Sequence, residues 1–286
     1  MAQILKGADV ARALDQRTID LVNSLKASGV VPTLGILRIG ERPDDLSYER
    51  GAKKRCEGAG VAVKTVALSD NASQDEILAE INLLNHDDEI HGILMFRPLP
   101  EGVDELVCCE AIVPEKDVDA ATTSSLAKVF TSRGAGFIPC TAQACMEILD
   151  YYQIPLQGQR ACVLGRSLVV GKPVAQLLMA ANATVTVCHS KTSDPATIAQ
   201  NSDIIVVATG RMETVGADYF SPGQTVIDVG INWHDEKCKL CGDVVFEEAE
   251  PIVNALTPVP GGVGSVTTAV LVYHVAEAAL QQCNEL

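Results

Sequence analysis

The sequence is poor in aromatic residues and in positive charge. Aromatics make up 4% of its 286 residues, with a single tryptophan. That leaves few stacking platforms for single-stranded nucleic acid. Lys and Arg number 22 against 37 Asp and Glu, for a net charge of −15. No Lys/Arg run supplies a polyanion-binding face, so nucleic acid is not an expected partner. Any anionic ligand must be held by a few local cations and backbone amides. The acidity itself serves solubility. No apolar run reaches membrane length, so no membrane partner is expected. Met1-Ala-Gln-Ile4 lacks the basic and apolar regions of a secretory signal. Ten cysteines without such a signal imply reduced, buried thiols in a cytoplasmic protein. Cys238-Lys-Leu-Cys241 has no second C-x-x-C or H-x-x-x-H beside it, so no metal is expected.

What is present is a regular alternation of apolar strands and amphipathic helices. Residues 9–27 repeat apolar positions at helical spacing and end at Gly29. Residues 33–39 read as a strand, 41–45 as a polar turn and 47–59 as a second helix. A strand at 61–68 follows. Ser73-Gln-Asp-Glu76 is a capping box that opens the next helix, and residues 92–96 form a short buried strand before Pro98-Leu-Pro100. This order predicts an α/β protein with a parallel sheet covered on both faces. Residues 114–136 show no clear period and read as a functional loop region. A helix from Pro139-Cys-Thr141 to about 152 connects to a second series of strands at 161–164, 183–188, 203–208 and 224–229. The last helix spans 267–282.

The second series carries the first chemical signal. Ala161 to Pro173 reads as a buried strand, a glycine turn and a helix start, the unit whose helix N-terminal amides hold phosphates. Its glycine spacing is irregular: Ser167 stands where a second glycine is usual, and the last glycine is Gly171. A purely structural turn is the competing reading. The next strand ends in Cys188-His-Ser-Lys-Thr192, with no acid to bond a ribose 2′-OH. Ser190, Lys191 and Arg166 suit the 2′-phosphate of NADP, without excluding NAD. Thr209-Gly210 and Gly230-Ile231-Asn232 end the later strands in small or polar residues, leaving room for a ligand at the carboxyl edge of the sheet. Pro260-Gly-Gly262 admits close backbone approach or simply turns the chain. Tyr48 has no lysine four residues on and reads as a packing residue. Asp119 is either solvated or projected into a cleft.

These motifs together resemble the methylenetetrahydrofolate dehydrogenase/cyclohydrolase family. The resemblance rests on Tyr48 in its helix, Gly92-Ile-Leu before Pro98-Leu-Pro, Pro114-x-Lys-Asp-Val-Asp119, Pro139-Cys-Thr141 and Gly165-Arg-Ser-x-x-Val-Gly-Lys-Pro173. It continues through Asn182-Ala-Thr-Val-Thr-Val-Cys-His-Ser190, Val226-Ile-Asp-Val-Gly-Ile-Asn232, Gly242-Asp-Val244 and Thr257-Pro-Val-Pro-Gly-Gly-Val-Gly264. They follow the family's order along nearly the whole chain. The resemblance implies a folate-binding α/β domain (residues 1–138 with the C-terminal helix 267–286) and a Rossmann-like NAD(P) domain (139–266), with a cleft between them. It also implies a homodimer and a hydride transfer from 5,10-methylenetetrahydrofolate to NADP⁺. In that reading Asp119 bonds the pterin and Tyr48 packs over the folate, with Pro260, Gly261 and Gly262 beside the substrate. Thr141, Gly165, Arg166, Ser167, Ser190, Thr209, Gly210 and Ile231 then line the cofactor.

The sequence departs from the family where water chemistry is done. Bifunctional members carry Lys four residues after the tyrosine; here it is Ala52. They carry Gln in the strand before Pro-Leu-Pro; here that place is Phe96, followed by Arg97. Ala120 replaces a glycine, and Ser265-Val266 a Pro-Met pair. Hydride transfer needs mainly orientation. Hydrolysis of the methenyl cation needs a positioned polar group. The expectation is a dehydrogenase with little or no cyclohydrolase activity, whose product goes to a separate cyclohydrolase. A bifunctional enzyme using Lys53 or Arg97 is the alternative, and a non-catalytic nucleotide sensor is the reading from another class.

Overall fold

The computed structural model describes residues 1–235 and 238–284. In the first half, strands and helices run β1 (Gln3–Ile4), α1 (Gly7–Ala27), β2 (Thr33–Ile39), α2 (Pro43–Ala59), β3 (Ala62–Leu68), α3 (Gln74–His86), β4 (Gly92–Met95), α4 (Glu105–Glu110) and α5 (Thr123–Thr131). In the second half they run α6 (Cys140–Tyr151), β5 (Arg160–Leu164), α7 (Gly171–Ala180), β6 (Thr184–Cys188), α8 (Pro195–Gln200), β7 (Ile204–Val207), β8 (Thr225–Asp228), β9 (Asn232–His234), β10 (Lys239–Cys241), α9 (Phe246–Ala249), β11 (Ala255–Leu256) and α10 (Val263–Asn284).

The chain forms two compact units. One holds residues 13–140 and the chain from Thr268 on. Its sheet is parallel, in the order β3-β2-β4, and all of central β2 but its first residue is buried. Ile77, Ile81 and Leu84 from α3 pack with Leu37, Ile93 and Met95 of the sheet. The capping box at Ser73 and Glu76 forms as the sequence predicts.

The other unit holds residues 1–12 and 141–267. Its six parallel strands lie in the order β1-β11-β8-β7-β5-β6. The chain passes from β5 to its neighbour β6, then crosses back to lay β7 on the other side of β5. Ligands sit at the carboxyl ends of the strands at such a reversal. An antiparallel β9–β10 hairpin stands apart from this sheet.

Several details differ from the sequence reading. Residues 1–12 belong with the 141–267 unit, because β1 pairs with β11 and the Gly7 amide donates to the Gly261 carbonyl at 2.8 Å. A two-residue strand has no periodicity to read. Helix α2 begins at Pro43, inside the stretch read as a turn, since proline suits a first helical turn and Asp44 and Asp45 complement its dipole. The 114–136 region contains α5, which Thr122 caps through the Ser125 amide. Helix α10 is apolar and long enough to cross a bilayer, contrary to the sequence reading. Most of its apolar stretch is buried inside the protein, so it is a core helix.

Candidate active site

The cofactor-type site is built at the carboxyl ends of β5, β6 and β7. Gly165 follows β5 at φ +132°, and a Cβ there would lie 2.1 Å from the Ala208 carbonyl oxygen. Only glycine lets the turn pass that close to β7. Gly171 opens α7 with equal economy: a Cβ would meet the Gly165 carbonyl at 2.4 Å. Between them the Ser167 hydroxyl accepts from the Val170 amide at 3.1 Å and the Gly171 amide at 3.4 Å. The irregular glycine spacing therefore closes a real turn, with Ser167 as its internal cap.

That turn borders a groove of about 400 Å³ lined by Gly165, Arg166, Ser167, His189, Ser190, Thr209 and Arg211, among others. Among the described residues no Asp or Glu lines it, in a chain of net charge −15. Neither Arg166 nor Arg211 pairs with a carboxylate among the described residues. Two free guanidinium groups and five hydroxyls around a glycine-cradled turn suit a phosphorylated dinucleotide. Arg211 was missed from sequence. Its signal was available: a cation immediately after the Thr209-Gly210 end of a parallel strand.

A second groove in this unit, of about 220 Å³, brings Ile231 together with Pro260, Gly261 and Gly262. The expected cofactor residue and the expected substrate loop thus share one recess. Gly210 lines neither groove but neighbours Thr209. Thr141 also lines neither and lies in the first turn of α6.

The folate-type residues gather in the other unit. Tyr48 of α2 meets Phe96 edge-on, ring centroids 5.8 Å apart at 85°. Its hydroxyl bonds the Thr268 side chain, and its pKa is raised, chiefly by burial and then by the Asp119 charge. Asp119 is pushed up to about 6 by burial, against the lowering effects of Arg97 and the Cys140 thiol. The Arg97 guanidinium lies 3.8 Å from it. The preceding carbonyl, of Val118, accepts from His274 Nδ1 at 2.9 Å. Burial lowers His274 to about 4, so it is neutral at pH 7 and holds its proton for that bond. The rest of the Lys-Asp-Val-Asp motif is structural. Lys116 donates to the carbonyls of Leu84, Asn85 and Asp87, closing the end of α3. Asp117 accepts from the Ala121 and Thr122 amides, opening α5. The motif places one carboxylate by fastening both sides of it. Ala120, where the family has glycine, takes φ +56°, a conformation that glycine adopts without strain.

Neither Ala52, fully buried, nor Phe96, 7% exposed, carries an ionisable group. Lys53, one residue on, pairs with Glu49 at 2.5 Å. Glu49 also receives Arg38 Nε at 2.8 Å. Burial would raise Glu49, but Lys53 and Arg38 outweigh it and lower its pKa.

Residues 139–283 match the NAD(P)-binding domain of tetrahydrofolate dehydrogenase/cyclohydrolase, and residues 5–119 match its catalytic domain. The chain belongs to the tetrahydrofolate dehydrogenase/cyclohydrolase family. It is 52% identical to the bifunctional protein FolD of Carboxydothermus hydrogenoformans, over 97% of each chain. The crystal structure of the bifunctional FolD enzyme from Campylobacter jejuni superposes with a TM-score of 0.95 at 36% identity, covering 99% of this chain and all of that one. FolD from Trypanosoma brucei, solved with NADP and an inhibitor, superposes at 0.92 with 34% identity, covering 99% and 98%. Membership in the tetrahydrofolate dehydrogenase/cyclohydrolase family accounts for both the glycine turn and the Asp119 motif.

Proposed function

We propose that this chain is a 5,10-methylenetetrahydrofolate dehydrogenase that uses NADP⁺ and has little or no methenyltetrahydrofolate cyclohydrolase activity. The carrying observation is the contrast between two sites. The dinucleotide groove keeps its glycine cradle and cations, while the positions of the hydrolytic pair hold buried Ala52 and Phe96. Bound NADP⁺ supplies the hydride acceptor. Arg166, Ser190 and Arg211 would hold the 2′-phosphate, and the amides from Gly165 to Ser167 the pyrophosphate. The grooved Pro260-Gly-Gly262 loop would give close backbone approach beside Ile231. Asp119 would accept hydrogen bonds from the pterin and Tyr48 would cover it, fixing the one-carbon bridge for transfer. The substrate's own nitrogen lone pair expels the hydride, so no side-chain base is required.

Hydrolysis of the product cation is different, because water must be activated. A bifunctional reading is favoured by the relatives named bifunctional. Of its two candidate substitutes, Lys53 is tied to Glu49, which leaves Arg97 beside Asp119. Arginine is a poor proton acceptor and would act through charge alone.

The test is a paired assay on purified protein. NADPH formation from methylenetetrahydrofolate should be robust, weaker with NAD⁺, and roughly tenfold less efficient in NADP⁺ after Arg166→Ala. Release of 10-formyltetrahydrofolate from the methenyl compound should match the buffer rate. Fast release would overturn the loss of hydrolysis, and no NADPH or NADH formation would favour a sensor. The product would then pass to a separate cyclohydrolase, and the cytoplasm is the proposed compartment. A homodimer is also proposed, supported by β6: it is an edge strand with Val187 38% exposed, beside α7 with Met179 52% exposed.

A further inference from the structure

Two carboxylates have no part in the chemistry above: Asp228, which borders the smaller groove, and Asp243, which lines neither groove. Asp228 and Asp243 are 3% and 0% exposed. Asp243 Oδ2 accepts from the Thr209 amide at 2.6 Å and the Gly210 amide at 2.8 Å. Its Oδ1 accepts from Asn232 Nδ2 at 3.0 Å. Its carbonyl takes the Thr214 and Val215 amides at 2.9 and 3.0 Å. Asp228 Oδ1 accepts from the Gly230 and Asp243 amides at 3.0 and 3.1 Å, and its Oδ2 from Val244 at 3.0 Å. Two glycines make this possible. A Cβ on Gly230 would lie 2.3 Å from Asp243 Oδ1, and one on Gly242 1.8 Å from Asp228 Oδ2.

The bonds run between segments distant in sequence. Thr209 and Thr214 line the larger groove, and Gly230 and Ile231 line the smaller one. One carboxylate grips the end of β7, the start of β9 and, through Asp228, the end of β8. Ionised acceptors bonded to backbone donors are short and directional, so they fix loops more sharply than packing does. We propose that Asp243 is a positioning residue for the dinucleotide: with Asp228 behind it, it sets the spacing between the loop carrying Thr209 and the loop carrying Ile231. It touches no ligand itself. The proposal rests on the dinucleotide reading of the two grooves.

Burial, helped by the nearby Asp243 charge, raises Asp228 to about 7 although three backbone amides pull it down. The bracket thus holds closely set acids in little water, a costly arrangement for scaffolding alone.

The test measures NADP⁺ affinity by calorimetry, with methylenetetrahydrofolate KM and thermal unfolding alongside, for wild type, Asp243→Asn, Asp243→Ala and Asn232→Ala. Asp243→Ala should weaken NADP⁺ binding roughly tenfold or more while folate KM stays within about twofold. Asp243→Asn keeps an oxygen for the Thr209 and Gly210 amides, and Asn232 can turn its own amide to face it. It should therefore recover most of the affinity. Asn232→Ala cuts only the tie to β9 and leaves the β7 tie intact, so it should fold and weaken NADP⁺ binding by a smaller factor. If Asp243→Ala does not fold, Asn232→Ala and Asp243→Asn still decide. Lowered melting temperatures with unchanged NADP⁺ affinity in folded variants would make the bracket merely structural and overturn the proposal. Wild type that binds no NADP⁺ would instead overturn the dinucleotide reading beneath it.

Discussion

Installing Lys at position 52 and Gln at position 96 reverses two substitutions at once. Ala52 is fully buried, so a lysine stem there must displace neighbouring side chains. The double variant Ala52→Lys/Phe96→Gln should gain cyclohydrolase activity by roughly 100-fold or more over wild type. Dehydrogenase turnover should fall only modestly, and the melting temperature should drop because an aromatic is lost from a buried place. Production of 10-formyltetrahydrofolate measures it; a folded, dehydrogenating double variant with no gain would break the argument. Asp119 makes a separate, pH-dependent prediction. Its folded pKa of about 6 lies above its ordinary 3.8. The neutral form is thus favoured by folding, and this contribution to stability is present below pH 3.8 and lost as pH rises through about 6. Asp119→Asn should melt near wild type at pH 4 and above it at pH 8, while losing folate affinity at both. Equal melting curves at pH 8 would show that the carboxylate carries no burial cost. These side chains were legible as letters but not as an environment. The Lys53–Glu49 pair lies at i,i+4 spacing on α2, but that Glu49 also holds buried Arg38 is something local spacing does not reveal.

The glycine turn after β5 is the element on which the cofactor groove depends. Gly165→Ala forces a Cβ against the Ala208 carbonyl at a φ that alanine resists. We expect it to abolish NADP⁺ binding and lower the melting temperature. Calorimetry and circular dichroism check this, and near-normal binding would contradict the close approach. Most long elements were legible from periodicity and caps: α1, α3, β2 and β5 lie within a few residues of their sequence-derived spans. The short ones were not. Helix α5 has nine residues and takes part of its start from Asp117, outside it. Helix α4 has six residues, with a cap at Asp104. The β9–β10 hairpin pairs strands of three residues, too few for a period to show.

At the scale of the molecule, the exposed edge strand β6 is the surface with most at stake. Edge strands present unpaired amides and carbonyls that a second copy can satisfy. Val187→Arg should convert the proposed dimer to a monomer, read by light scattering, while leaving NADP⁺ binding in place. A wild-type protein that is already monomeric at micromolar concentration would remove the dimer. The sequence by itself determined the family, the glycine turn and the absence of a lysine and a glutamine, because these are matters of which side chains occur at which spacing. Only the tertiary structure decided three other things. The first twelve residues pack with the second unit, Arg211 shares one groove with Arg166 and Ser190, and Asp228 and Asp243, fifteen residues apart, form one bracket. Each depends on strand order and on backbone groups meeting across loops, and hydrogen bonds between segments distant in sequence leave no local period to read.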